Sequence, residues 1–507
     1  MIFYLVLLVL GAIAFYVHFS NNRKKLIERL EIVAQRRRDD LSKNVEQARK
    51  AADKLDTQRR DWIGSLDFEQ LRDELQRGHV TCVEAIRAYF HKAILAHEKT
   101  NAVTCFILDA ERQAEELDEQ AKLPYYVKPP LFGVPLSLKE CLKVKGYDTT
   151  RGFVQDAYHP ATEDSIQVEH YKKLGIPCHF TGTAGIKPSK MRFAHRGGGA
   201  SVPGKPLIDA NDGPMAKDVK TNVEFLRNVW GDIDFQSDRD PYCPPVHWNE
   251  SVYSSEKKLR VGYYIDDGWF TPTPALQRAV LESKKHLEAA GHTVIPFYPP
   301  RLPSVMQLYF RAVCLDGGQY VLNKLLKDII EPTIRFQVTL WMVPVWIQRI
   351  LSYPVSLVFP RMGMLMQSLT RDTFELREAY ADIEAYREEF VGLMMKDNLD
   401  VILCPASIMP APQHDIPSKV VSGVSYTCLY NLLDFGAGVV PVTAVSKSDE
   451  EKLINEYPET DKWYQITKKA TLGAVGMPIG VQVAAPPYRE EAVLRTMREI
   501  EIAVTGK

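Results

Sequence analysis

Apolar residues crowd together at the start of this chain and settle into periodic patterns further along it. Met1 to Phe19 reads MIFYLVLLVLGAIAFYVHF, and no charged side chain occurs before Arg23. A run of this kind is near the lower end of what spans a bilayer, roughly 17–25 residues. A cleaved leader would open on a positive segment, which is missing here. The apolar run also continues past Ala12-Ile13-Ala14, the only mimic of a cleavage site. Residues 1–20 are therefore expected to form an uncleaved transmembrane anchor. Arg23, Lys24 and Lys25 follow it, which by the positive-inside bias puts the body on the cytosolic side of an endomembrane.

Residues 21–60 read as a charged amphipathic helix. Leu26, Leu30 and Val33, then Leu41, Val45 and Ala48, recur at helical spacing. Arg23 to Arg60 holds 13 Lys/Arg and 7 Asp/Glu, net +6. Attraction to anionic headgroups and a solvated linker helix both fit that pattern.

From residue 61 to 507 the pattern alternates. Ser65–Gln76 predicts a helix stopped by Gly78, a favoured C′ residue. Thr81-x-x-Glu84 is a capping box that opens the next helix. Asp109–Lys122 predicts a third. Leu131–Leu138 (LFGVPLSL) is short, apolar and preceded by Pro-Pro, and is expected to be a buried strand. Further strands are expected at 259–265, 293–297, 401–404, 439–445 and 480–484. Helices are expected between them, over 274–290, 371–396 and 490–504. This alternation predicts an α/β body with a mixed or parallel central sheet flanked by helices. One stretch departs from it. Glu331–Gln367 is apolar but is broken by Pro332, Pro344, Pro354 and Pro360 and punctuated by Arg335, Arg349 and Arg361. It is expected to be an interfacial cap dipping into one leaflet, with Trp341, Trp346, Ile350 and Phe359 at the membrane; a buried core pair is the alternative.

Composition narrows the chemistry. The 507 residues are 45% hydrophobic and 25% charged, with 63 basic against 64 acidic side chains, so no nucleic-acid surface is signalled. The eight cysteines form no CxxC pair and the histidines no HExxH, so no metal site is expected. No cofactor is expected either. Gly199-Ala-Ser-Val-Pro-Gly204-Lys205 nearly spells a phosphate-binding loop, but Pro206 stands where Ser or Thr would hold magnesium. No GxSxG elbow is present. Lys139 follows the expected strand. There it could lose hydration and act as a base, or simply pair with Glu140.

LFGVPLSLKE resembles the lysine-bearing motif of the amidase signature family. Gly213-Pro-Met-Ala216-Lys-Asp218, Leu399-Asp-Val-Ile-Leu-Cys-Pro405 and Gly476-Met-Pro-Ile-Gly480-Val-Gln482 are similar to three more of its segments. Arg260–Tyr264, Glu288–Thr293 and Val424–Asp434, with the N-terminal anchor and the cap, are similar to the membrane-bound members that hydrolyse fatty-acid amides. The resemblance implies the amidase-signature fold and no cofactor. It also implies a Ser–Ser–Lys triad in which Lys139 is the general base. By the same resemblance, Tyr426, Thr427, Leu429, Leu432 and Phe435 would line an acyl channel.

Both serine blocks of the family are missing. The chain runs to Leu174-Gly175 and continues at Ile176-Pro177 with what resembles the tail of the second block. Both flanks stay in register, so several tens of residues, with central strands, are expected to have been cut out cleanly, as by a skipped exon or a mis-joined gene prediction. Ser137 and Ser201 are the only substitutes considered, and neither has a visible partner. The expectation is a chain without nucleophile, oxyanion hole or activity. The alternative is a non-catalytic membrane protein that binds lipid amides, forms a homodimer or pairs with an intact subunit.

Overall fold

The computed structural model describes residues 2–176, 184–198, 202–205, 207–208 and 211–506, with the backbone alone for 2–19. It divides into two compact units. The first comprises residues 1–180, 196–201 and 319–338; the second comprises 181–195, 202–318 and 339–507.

The first unit is helical. α1 (Ile2–Ala52) is unbroken through the apolar run and the charged segment. α2 (Thr57–Ser65), α3 (Phe68–Arg77), α4 (Cys82–Thr100) and α5 (Asp109–Gln120) follow. Their ends are set locally. The Thr81 side chain accepts the Glu84 N–H while the Glu84 carboxylate accepts the Thr81 N–H, so the expected capping box opens α4. Gly78 ends α3 at φ 77°, the left-handed conformation a side chain would resist. α3 starts three residues later than expected because Asp67 and Gln70 form a second capping box. Ile63, Leu71, Leu75, Ile86, Phe90, Ile94 and Phe106 fill the core between these helices.

Leu131–Leu138 is the expectation that the structure overturns. Among the described residues it joins no strand of the sheet: 131–133 form a turn and the remainder is irregular apart from a single bridge residue, Leu136. Its backbone groups are satisfied close by: Phe132 N–H donates to Pro129 O (3.0 Å), Val134 N–H to Leu131 O (3.1 Å) and Gly133 N–H to Gly175 O (2.7 Å). Pro130 and Pro135 contribute no donors. An apolar run becomes a strand only where a neighbour can complete its ladder.

The second unit is built on a sheet of seven described strands: β1 (Ala184–Lys187), β2 (Met215–Ala216), β3 (Arg260–Tyr263), β4 (Thr293–Pro296), β5 (Val401–Pro405), β6 (Gly436–Ala444) and β7 (Pro478–Ala485). Their order is β2-β1-β6-β7-β5-β3-β4. β3 runs parallel to β4 and β5, and the other pairings are antiparallel, so the sheet is mixed as expected. The helices Pro274–Ala289 and Glu490–Thr505 pack on it. β6 carries Gly436 and Gly438 where Glu490 and Met497 press against the strand, leaving no room for a Cβ. The carboxylates of that helix's first turn meet Arg192. Arg192 bonds Glu490 and donates to Glu491 (2.7 Å), and its guanidinium lies 4.0 Å from the Trp230 ring centre. Ser189 adds its N–H (2.7 Å) and hydroxyl (2.5 Å) to Glu490. All three ionic side chains are buried.

Arg192→Ala is expected to lower stability by about 3–5 kcal/mol, because it leaves two buried carboxylates without their cation. Urea unfolding followed by tryptophan fluorescence would show a lower midpoint at unchanged slope.

Candidate active site

Lys139 is exposed, and among the described residues its side chain makes no hydrogen bond or ion pair. Its carbonyl accepts the Leu142 N–H (2.9 Å) and closes a turn. Glu140, the alternative partner, is engaged elsewhere: its carboxylate accepts the N–H groups of Thr150 and Arg151, the latter at 2.7 Å. The expected burial of Lys139 is thus corrected: it is exposed, and the stretch before it forms no strand among the described residues. Ser137 is half-buried on the same turn. Cys178, Gly199 and Ser201 lie outside the described residues. Gly175 takes φ 80°, where an added Cβ would meet Pro129 and Phe132. Ile176 is buried, and its N–H donates to Tyr171 O (3.1 Å). The junction is therefore a packed turn.

The five candidate channel residues divide. Tyr426, Leu429, Leu432 and Phe435 are buried in the second unit's core, and Thr427 faces outward. The helix Ser425–Leu432 presents them inward, and Phe435 follows it to stack edge-on against Phe390 at 5.6 Å. The Tyr426 hydroxyl donates to Phe270 O (2.9 Å) and accepts the Asp267 N–H (3.1 Å). Its carbonyl accepts from Gln482 Nε2 (2.8 Å), which also reaches Cys404 Sγ (3.3 Å).

Sequence reasoning missed Asp267. Asp266-Asp267-Gly268 reads as a turn, and its tertiary partners are invisible in the local sequence. Asp267 Oδ1 accepts the N–H groups of Trp269 (2.8 Å) and Phe270 (2.9 Å). Oδ2 is buried near the Ser425 hydroxyl, which favours the charged form less than burial opposes it. Burial pushes the Asp267 carboxyl up to about 6.

The cap stretch forms three helices, Arg335–Trp341, Val345–Ser356 and Pro360–Ser368. Among these, Val345–Ser356 has its polarity reversed. Its buried side holds Gln348 and Ser352. Its outer side holds Trp346 (62% exposed), Ile350 (60%), Tyr353 (72%) and, one residue past the helix, Leu357 (86%). These recur at i, i+4, i+7 and i+11, one stripe of a helix. Gly363 lies against Ser352 and Ser356 with no space for a Cβ, so small residues bring the last two helices together. Arg349 holds the pair to Glu375 at 2.9 and 2.8 Å. Arg361 donates to Trp269 O (2.8 Å), pairs with Asp461 (2.9 Å) and lies 4.3 Å from the Tyr464 ring centre. Trp341 and Phe359 are half-buried.

The lysine-bearing turn, the mixed sheet and the conserved order of motifs define a class. A family model described as amidase matches residues 84–176 and 176–494, and the chain belongs to the amidase family. Among its relatives, "Fatty acid amide hydrolase 1" of Caenorhabditis elegans is 89% identical over 572 aligned positions, covering all of both chains. "Fatty-acid amide hydrolase 1" of Sus scrofa is 32% identical over 506, covering 86% of this chain and 85% of its own length. A solved structure titled "Fatty acid amide hydrolase" superimposes with a TM-score of 0.75 at 20% identity, covering 93% and 95% of the two chains, which establishes the fold.

Asp267→Asn keeps the turn, because an amide oxygen can still accept both N–H groups. Wild-type Asp267 titrates near 6 when folded, against an ordinary 3.8. Between those values the folded state holds the extra proton, so stability falls as pH rises and the full penalty applies above 6. The variant is expected to be more stable than wild type by up to about 3 kcal/mol at pH 8 and by little at pH 3.5. Urea midpoints across that range check it.

Proposed function

We propose that this chain is a shortened, membrane-bound relative of fatty-acid amide hydrolase that lacks the catalytic serines and does not hydrolyse amides. One observation carries the reading. The alignment to the Caenorhabditis elegans relative has 572 positions against 507 residues here, an excess of 65, and 507 of 572 is 89%, equal to the identity between the two chains. Absent positions therefore account for the whole shortfall. The two family matches meet at residue 176, where the sequence reading placed the cut.

The chemical consequences follow from the family mechanism. In the intact arrangement Lys139 would deprotonate a bridging serine, which would relay to the nucleophile, and the resulting acyl-serine would be hydrolysed. Here the exposed side chain of Lys139 makes no hydrogen bond to a hydroxyl among the described residues. Loss of even one oxyanion donor costs about 10²–10³ in rate, and the missing block would carry several such groups. The irregular stretch at 131–138 fits the same account, since the excised strands would have been its neighbours.

Membrane association rests on two features. The apolar run 1–20 is helical from Ile2, and its side chains lie outside the described residues. Elsewhere among the described residues no helix is long and apolar enough to cross a membrane. The reversed Val345–Ser356 helix supplies the second contact, since an outward stripe of Trp346, Ile350, Tyr353 and Leu357 is stable where an apolar phase covers it. The body would then sit on the cytosolic face of an endomembrane, its cap facing fatty-acid amides dissolved in one leaflet. Every surface outside the gap is shared with the relative, so any subunit interface lying there is retained, and pairing with an intact subunit remains open to this chain.

Fluorophosphonate treatment followed by intact mass is expected to give no adduct, with Lys139→Ala indistinguishable from wild type. Inserting the relative's 65-residue segment between Gly175 and Ile176 is expected to restore stoichiometric labelling. A wild-type adduct abolished by Lys139→Ala would overturn the reading. For the membrane contact, brominated phospholipid vesicles are expected to quench tryptophan emission, and the quenched fraction is expected to drop in Trp346→Phe.

A further inference from the structure

The charged segment after the apolar run is docked. From residue 23 to 52 the covered positions of α1 are 23, 26, 27, 30, 33, 34, 37, 40, 41, 44, 45, 48, 49, 51 and 52, recurring every three or four residues, with 30, 48, 51 and 52 buried, while 24, 25, 28, 29, 31, 32, 35, 36, 38 and 39 face out. That is one covered side of a helix, continuous from Arg23 to Ala52. Polar ties lock it at intervals. Asn44 pairs with the Phe106 backbone in both directions, Nδ2 donating to the carbonyl (3.0 Å) and Oδ1 accepting the N–H (2.6 Å). Asp40 accepts the Tyr158 hydroxyl (2.8 Å), and Arg36 lies over that ring at 4.6 Å. Arg49 bonds Glu98 at 2.6 Å, and Ala48, Ala51 and Ala52 complete the covered side in the first unit's core.

The uppermost tie is at Arg23, the first charged residue. Its guanidinium donates to Leu326 O and, at 3.5 Å, to Asp328 O. Asp328 is buried and accepts both the backbone and side-chain N–H groups of Gln155, each at 3.1 Å. The segment 326–328 is therefore fixed to the body on one side and to α1 on the other, at the level where the apolar run ends.

We infer that α1 is a rigid strut which seats the Leu326–Asp328 turn of the first unit at the lipid headgroups. The inference rests on the reading of residues 1–20 as an anchor. An uninterrupted helix leaves no flexible joint between Phe19 and Ala52, a span of roughly 50 Å at 1.5 Å per residue. Exposed Lys24, Lys25 and Lys327 lie on the two segments that Arg23 ties together, where anionic headgroups attract them. The covered side of this segment faces protein, and its outward face is left for lipid or water.

The test is hydrogen exchange, read by mass spectrometry, on the full chain in phosphatidylcholine–phosphatidylserine vesicles, beside an alkaline wash. Amides of 24–52 are expected to be protected like those of α4. Asn44→Ala is expected to speed their exchange roughly tenfold while the chain stays with the vesicles. Fast exchange over 24–52 in wild type, with the chain retained by the vesicles, would overturn the strut. Release of the chain by the wash, with 24–52 still protected, would overturn the anchor reading and the headgroup seat together.

Discussion

The antiparallel pair β6–β7 holds the second unit together, and its strength depends on how closely a helix can approach it. β6 and β7 are the longest strands, and every other strand is reached through them: β1 and β2 on one side, β5, β3 and β4 on the other. Gly436 and Gly438 let the helix Glu490–Thr505 lie directly on the strand. That closeness buries Glu490 and Glu491, and two buried carboxylates demand a cation and further donors. Arg192 and Ser189 supply both. The segment following β1 is thereby tied to the far end of the chain, although the helix and that segment are some 300 residues apart.

This dependence explains what was legible in the sequence. The strands 259–265, 293–297, 401–404, 439–445 and 480–484 were found within a few residues, because each is an apolar run that meets a partner. Leu131–Leu138 has the same pattern, yet among the described residues it joins no strand of the sheet. Nothing in its own residues separates it from the others, since the difference lies in whether a neighbouring ladder exists. Capping boxes were readable for the opposite reason: Thr81 and Glu84 satisfy each other within one helical turn. Asp267 and Tyr426 meet across 159 positions, and no local signal could announce that contact.

Periodicity also gave a true but incomplete account of α1. The spacing of Leu26, Leu30 and Val33 predicts a helix with one apolar side. It does not say whether that side meets lipid or protein. The polar ties decide it. Asn44 can satisfy a backbone donor and a backbone acceptor only against a fixed segment, and Phe106 offers both. A tether would leave such groups to water at no cost, so their pairing has a purpose only in a docked helix.

The Val345–Ser356 helix reverses the usual logic of burial, and the reversal is informative because its buried Gln348 and Ser352 both make hydrogen bonds. Gln348 Nε2 donates to Val343 O (2.7 Å), Ser352 Oγ donates to Arg349 O (2.6 Å) and accepts from Gln367 (3.1 Å). A helix that had merely failed to find its partner would leave apolar residues exposed and polar ones unsatisfied. Here Gln348 Nε2 and Ser352 Oγ are both bonded on the inner side, and the apolar side faces out in a stripe. Under the proposed function, the cap and the missing serine block would therefore bear on different parts of the chain: one would keep the surface on which an acyl chain arrives, while the other would remove the group that attacks it.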